Sequence, residues 1–377
     1  MKTIWKMDVL QDLISFYGKG IVPQYVDQKN CDAIWVLNQK CNTNHKISYD
    51  KARYTDIKHK PVSQERYLRI GDIIINATGY GTAGRVAQVD NLIGDTTVDS
   101  HMIIIRANYN KVHPKYLAYY MKHNQATIES YAEGSTGQTE ISKNRLCYEF
   151  KVGYPDLETQ KKIAKVLSAL DDKIELNNQI NKNLEEQANA LFDNMFPNIS
   201  QGNRTVGDYI VPKRGKSLLS KDAVLGDVPV VAGGLEPSTY HNESNTTAPV
   251  ITISASGANA GYVSLWHIPV WSSDSSYIDS KMSDSVYFWY ILLKKRQKEI
   301  YDSQTGSAQP HIYPQHIAVL PLCELSIEST ILFNMRVTSL FAQIANNKAE
   351  NAILHKTRDT LLPKLMSGEI DIDNVEI

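Results

Sequence analysis

The sequence has little cysteine, no long hydrophobic run and no excess of charge, and each absence excludes a class of protein. Cys31, Cys41, Cys147 and Cys323 are the only cysteines in 377 residues, and no two form a CxxC pair. That is poor material for a disulfide framework in a chain of this length. Cys31 and Cys41 with His45 and His59 match the spacing of no common zinc module, so no metal site is expected. The longest uninterrupted apolar run, Val286 to Leu293, is too short to span a bilayer, and no membrane partner is expected. Lys6 and Asp8 interrupt the amino terminus where a signal peptide would carry its apolar core, which makes the expected location cytoplasmic. Forty Lys+Arg against 41 Asp+Glu give a formal charge of -1, so the chain as a whole is not a basic nucleic-acid binder. With 42% hydrophobic and 21% charged residues the composition is that of a globular protein. Its length exceeds what one core usually organises, which predicts two or more domains.

Signatures of chemistry are missing too. There is no GxxxxGK[ST] phosphate loop, no HExxH, no GxSxG, no HxE…CxxC and no (Asp/Asn)-Pro-Pro-aromatic tetrapeptide. Gly79-Tyr80-Gly81-Thr82-Ala83-Gly84 satisfies GxGxxG by letter, but a strand-like run, Arg85 to Val89, follows where a dinucleotide site needs a helix N-terminus. A glycine-rich turn is the simpler reading. Pro155-Asp156 with Glu158 and Lys161 has the residue types of a nuclease carboxylate set. Metal-binding carboxylates should converge from neighbouring strands, whereas these open a helix, so helix capping is preferred. No catalytic residue is assigned, and no enzyme activity is expected of this chain.

What is present is a doubled pattern. From Pro155 to Met195 there is no Gly and no further Pro, and Ile163, Leu167, Leu170, Ile174, Asn177, Asn181, Leu184, Ala188, Leu191 and Met195 mark a heptad seam. Asp156 and Glu158 suit its first turn, Pro197 ends it, and at about 1.5 Å per residue it runs on the order of 60 Å. A second seam reads Phe333, Val337, Leu340, Ile344, Asn347, Asn351, Leu354, Arg358, Leu361 and Leu365, each position shifted by the same interval, so that Asn177 falls on Asn347 and Asn181 on Asn351. Pro363 is expected to kink or end its last turn. The segments before each helix repeat more weakly. Ala83-Gly84-Arg85-Val86 resembles Ala260-Gly261-Tyr262-Val263, and Tyr119-Tyr120 matches Trp289-Tyr290. Tyr131 matches Tyr301, Ser135–Gln138 matches Gly306–Gln309, and Gly18-Lys19 matches Gly215-Lys216. Short β runs with glycine turns, and helices predicted over Pro114–Tyr131 and Ser283–Tyr301, make each block α+β.

The predicted fold is therefore two α+β blocks and two long helices with pseudo-two-fold internal duplication. The limits are 1–154 for the first block, 155–197 for the first helix, 198–320 for the second block and 321–377 for the second helix and tail. Heptads that pair within one chain of this connectivity pair antiparallel, with Asn177 opposite Asn351, Asn181 opposite Asn347 and Leu170 beside Arg358. Asparagine buried there fixes register; the plainer reading is an amide left in water at a weak seam.

Charge is uneven. Residues 1–154 carry 20 Lys+Arg against 15 Asp+Glu, residues 198–320 carry 10 of each, and the helices are acidic. Local basic faces suit a phosphate backbone. Cations alternate with aromatics over Lys115–His123 and Tyr287–Lys298; the aromatics read as core, and Lys294, Lys295, Arg296 and Lys298 as either a solvated face or a phosphate contact.

Pro155-Asp156-Leu157-Glu158-Thr159-Gln160-Lys161-Lys162-Ile163-Ala164 closely resembles the P-x-x-E-x-Q-x-x-I-A opening of the spacer helices in specificity (S) subunits of type I restriction-modification enzymes. Leu361-Leu362-Pro363-Lys364-Leu365-Met366-Ser367-Gly368-Glu369-Ile370 resembles that family's C-terminal helix end, and the duplicated layout covers essentially the whole chain. One departure is that Pro321-Leu322-Cys323-Glu324, with Glu328 and Thr330, lacks a glutamine matching Gln160. The resemblance implies two target-recognition domains, each reading one half of a split double-stranded DNA site, separated by antiparallel coiled-coil helices that act as a ruler. It also implies methyltransferase (M) and restriction (R) subunits as partners, with S-adenosylmethionine, ATP and Mg bound by them and no cofactor bound by this chain. The residues expected at DNA are Lys19; Gly79, Tyr80, Thr82 and Arg85; Ser135, Thr136 and Gln138; Lys213, Arg214 and Lys216; Ser256, Asn259 and Tyr262; and Gln304, Ser307 and Gln309. Each turn among them has the alternative of being a strand connection that only needs glycine geometry. Two rival readings are a coiled-coil scaffold whose blocks bind proteins and an enzyme, such as a nuclease, with a diverged site.

Overall fold

The computed structural model describes residues 5–134, 139–306 and 309–375. They form two compact units: one holds the residues up to Ile174 together with those from Ile353 on, and the other is Glu175–Ala352. Both are α+β. Among the described residues no helix is long and apolar enough to cross a membrane.

At the centre of the first unit is an antiparallel sheet of β1 (Ile14–Lys19), β2 (Ile73–Asn76), β3 (Val86–Gln88) and β4 (Met102–Ala107), in the order β1-β4-β2-β3. Isoleucine runs make β2 and β4 apolar on both faces, as a strand covered on both sides requires. Ile73, Ile75, Ile103 and Ile105 face one core, closed by Tyr116 and Leu117 of α1 (Pro114–His123), Ile128 of α2 (Gln125–Glu129), and Ile163 and Leu167 of the long helix α3 (Leu157–Met195). Ile74 and Ile104 face a second core with Leu37 and Val98, which belong to a smaller sheet of Thr96–Val98, Ala33–Leu37, Arg53–Asp56 and Tyr25–Val26. A buried ion pair closes the far end of β4, where the Arg106 guanidinium donates twice to Asp72 at 2.7 Å.

The second unit repeats this plan. β5 (Lys213–Arg214), β6 (Val250–Ser254), β7 (Val263–Trp266) and β8 (Ser275–Asp279) are ordered β5-β8-β6-β7. α4 (Val286–Lys295) and α5 (Gln297–Asp302) cover the sheet, and Phe288 and Ile300 pack with Ile251, Ile253, Phe192 and Phe333 of the second long helix, α6 (Ile327–Ser367). Val230-Val231 pairs in parallel with Trp271-Ser272, as Ala33–Leu37 does with Thr96–Val98 in the first unit.

Part-buried hydrogen bonds establish which residues correspond. The Gln125 amide oxygen accepts the Val86 N–H at 2.9 Å, and the Gln297 oxygen accepts the Val263 N–H at the same distance. The helical stretch breaks just before each glutamine, at Asn124 and at Arg296, so each block has two short helices over the stretch expected to be helical. This pairing corrects the sequence alignment: Tyr119-Tyr120 corresponds to Ile291-Leu292 rather than Trp289-Tyr290, and Tyr131 does not correspond to Tyr301. The Gly20 N–H donates to Met102 O and the Gly215 N–H to Ser275 O, so Lys19 corresponds to Arg214 and not to Lys216. A Cβ on Gly20 would lie 2.0 Å from Asp99 O and one on Gly215 2.4 Å from Ser272 O, so only glycine fits either place.

Each long helix opens on a built connection. Asp156 accepts the N–H groups of Glu158 and Thr159 at 3.0 Å, which makes it the cap and removes the nuclease reading. Gln160 is fully buried; its oxygen accepts the His113 N–H at 2.7 Å and its nitrogen donates to Pro155 O at 2.8 Å, tying α1 to α3. At the matching place Thr330 is also buried and is joined by the Ser285 hydroxyl at 3.2 Å, so a shorter pair does the work of the missing glutamine. The second helix starts at Ile327, not at 321, because Pro321-Leu322 is a strand paired with Arg204-Thr205. It continues through Pro363 to Ser367 instead of ending there.

In the second unit α3 and α6 run antiparallel. The Asn177 amide donates to Asn351 at 2.9 Å and the Asn347 amide to Asn181 at 2.8 Å, all four being buried. Asn177 also reaches Glu350, Asn351 reaches Asn178, and Gln343 reaches Asn347. Of the other seam positions, Ile163, Leu167, Leu170, Ile174, Phe333, Val337 and Ile344 are buried, while Leu184, Leu191, Leu340, Leu354 and Leu361 are half-buried. In the first unit Arg358 donates to Asp171 at 2.7 Å, and Asp171 also accepts from Tyr119 at 2.6 Å, so this seam cation has a partner.

Candidate nucleic-acid interface

The register of the first sheet gathers three separate segments at one end. β1 finishes with Lys19 opposite Ile103, and β2 finishes with Asn76 opposite Met102, so Lys19 and the turn after β2 lie at the same edge. That turn joins antiparallel β2 and β3, which makes the GxGxxG letters a hairpin connection and not a nucleotide site. Gly79, Gly81 and Gly84 all have positive φ, and a Cβ on Gly84 would stand 2.7 Å from Glu129. Arg85 reaches back to Gly81 O at 3.1 Å and Thr82 to Thr78 O at 3.4 Å, so both hold the turn. Tyr80 at its tip is 94% exposed. Beneath it the Thr78 hydroxyl pairs with His101 Nδ1 at 2.9 Å, and Gln39 donates to Thr78 at 2.6 Å. The segment after α2 joins through Glu140, which bridges to Thr78 and pairs with Lys19.

The second sheet does the same with other residues. Arg214 on β5 pairs with Asp274 at 2.6 Å. Asp274 also accepts the Ser256 hydroxyl at the start of the Ser256–Tyr262 turn, and Ser256 bridges to His311 in the segment after α5. Lys213 and Lys216 are exposed, with the Lys216 backbone holding Trp271. Gln304 is spent internally, donating to Ala260 O at 2.7 Å. The Tyr262 ring lies 4.1 Å from the Lys294 ammonium, Asn259 is half-buried, and Gln309 is exposed. Ser135, Thr136, Gln138 and Ser307 lie outside the described residues.

The helix cations all have partners within the chain, and the Lys295 and Lys298 pairs are exposed. Arg296 is buried against Glu299 and Pro321 O, Lys294 donates to Val263 O, Lys295 pairs with Asp193 and Lys298 with Asp302. Burial pushes the Lys122 ammonium below its ordinary value. The cysteine–histidine set does not assemble: Cys41 is buried, Cys31 is exposed, and His45 bonds Val86 O. Among the described residues no three His, Cys, Asp or Glu are placed to hold a metal. Thr78, His101, Gln39, Glu140, Asp274 and His311 carry no local motif; only strand register, which joins residues tens of positions apart, brings them together.

Residues 5–186 match the family described as the type I restriction modification DNA specificity domain. Over an alignment of 416 positions the chain is 25% identical to the type I restriction enzyme HindI specificity subunit of Haemophilus influenzae, covering 84% of this chain and 90% of that one. It is 26% identical over 337 positions to the type I restriction enzyme MjaIX specificity subunit of Methanocaldococcus jannaschii, covering 75% and 76%. The S subunit of the type I restriction-modification system of M. genitalium superposes with a TM-score of 0.63 at 19% identity over 96% of each chain, a likeness of fold.

Proposed function

We propose that the chain is a specificity subunit of a type I restriction-modification system, a reading its likeness to such subunits supports, and that its two units read the two halves of one split DNA site through the sheet ends described above. The observation that carries this reading is the pair of sheet ends themselves. Both gather a cation, a hydroxyl, an imidazole and a carboxylate on the same scaffold, yet the groups differ in kind and order. Such groups discriminate base edges, and two unlike sets discriminate two unlike half-sites. Phosphate contacts from exposed Lys213 and Lys216 position the second unit.

The antiparallel helices fix the gap between half-sites, and the paired asparagines support that role because another register would leave buried amides unpaired. The chain itself performs no chemistry. Methyl transfer from S-adenosylmethionine belongs to the methylation subunits, and ATP- and Mg-dependent cleavage to the restriction subunit. The test is selection from a library of randomised duplex DNA by the chain bound to its methylation partner. Two different half-sites at a fixed gap are expected; no sequence preference defeats the reading. Removing one heptad from each long helix should change the gap and leave the half-sites alone.

A further inference from the structure

The two sheet ends hold four equivalent positions in which two groups have changed places. Lys19 faces Ile103 and Arg214 faces Ser276, and these in turn face Ile75 and Ile253, the penultimate residues of β2 and β6. The Ala77 N–H donates to His101 O at 2.7 Å and its carbonyl accepts from Ile141 at 2.8 Å; Ala255 does the same with Asp274 and Ile312 at 3.1 and 3.0 Å. The backbone therefore equates Lys19 with Arg214, Thr78 with Ser256, His101 with Asp274 and Glu140 with His311. Cation and hydroxyl keep their places. Imidazole and carboxylate are exchanged, so the acceptor for the cation comes from the segment after α2 in the first unit and from the residue before β8 in the second.

None of the eight residues is buried, and the paired cations and carboxylates are 38–44% exposed. An ion pair that open to water is worth little, so a base edge can replace either partner at small cost. A cation donates to guanine O6 and N7, and a carboxylate accepts from cytosine N4, so the two together suit the major-groove edge of one G·C pair. The exchange thus presents the acceptor beside the cation from a different segment in each unit.

We propose that Lys19, Thr78, His101 and Glu140 in the first unit, and Arg214, Ser256, Asp274 and His311 in the second, are the specificity-determining sets, each addressing one base pair, and that the exchange makes the half-sites differ there. This rests on the DNA-reading assignment above. The test is the full chain carrying His101→Asp with Glu140→His, bound to its methylation partner and selected on randomised duplex DNA beside the unaltered chain. Preference at one base pair of one half-site should change by about 10-fold or more, with the other half-site untouched. Should the double exchange fail to fold, Lys19→Gln should relax the same base pair alone. Unchanged half-sites with uniformly weaker binding would overturn the proposal and leave these residues as a latch. If the unaltered chain selected no split site, the reading beneath it would fail instead.

Discussion

The two units share their hidden contacts and differ in their open ones. Gln125 and Gln297 hold the same strand amide, and Gly20 and Gly215 are forced by the same close backbone. At the sheet ends the cation and the hydroxyl keep their places, while the imidazole and the carboxylate have exchanged theirs. Buried partners cannot change one at a time without leaving a polar group unsatisfied, whereas half-exposed ion pairs can. Duplication has kept a frame and let the open sheet ends diverge.

The largest way to break the symmetry is at a contact only one unit owns. Asp72→Ala would strand the buried Arg106 guanidinium, and a loss of about 3–5 kcal/mol is expected in urea unfolding. Next is the amide seam. Asn351→Leu takes a partner from Asn177 and should cost about 1–3 kcal/mol, while leucine at Asn177, Asn181, Asn347 and Asn351 together should recover that stability and lose the unique gap in selected DNA. Gln125→Ala and Gln297→Ala should then cost about 1 kcal/mol each; unequal losses would show that the two bonds are not equivalent.

The smallest effect is with pH. Burial holds the His267 imidazole down at about 4, beside Phe341 with Lys348 nearby, and burial lowers His113 in the first unit as well. A folded value below the unfolded one, near 6.5, means stability that is complete above pH 6.5 and is lost as the pH falls toward 4. Thermal unfolding of His267→Phe from pH 7 to 4 should show a flatter decline than the unaltered chain.

The long helices were legible because a heptad is a local pattern, and the asparagine pairs were legible because both seams carry them at the same interval. Helix limits were less so. Nothing in Pro321-Leu322 marks it as the partner of Arg204-Thr205, and Pro363 stays inside a helix that packing on the first unit's core sustains through Leu365 and Met366. The glycine turns are legible in the sequence, whereas the bonds that Arg85, Thr82 and Gln304 make to backbone carbonyls are not. The sheet-end sets were not found, since Thr78, His101 and Glu140 are neighbours only through register. Sequence shows which residues repeat; it does not show which unlike residues occupy one place.

The central claim, that one chain reads two unlike half-sites, is tested most directly by mapping every base methylated in cells where this chain is the only specificity subunit. The account predicts a single motif of two different short sequences at one fixed gap. A continuous motif, a palindromic one, or methylation unaffected by deleting the chain would contradict it.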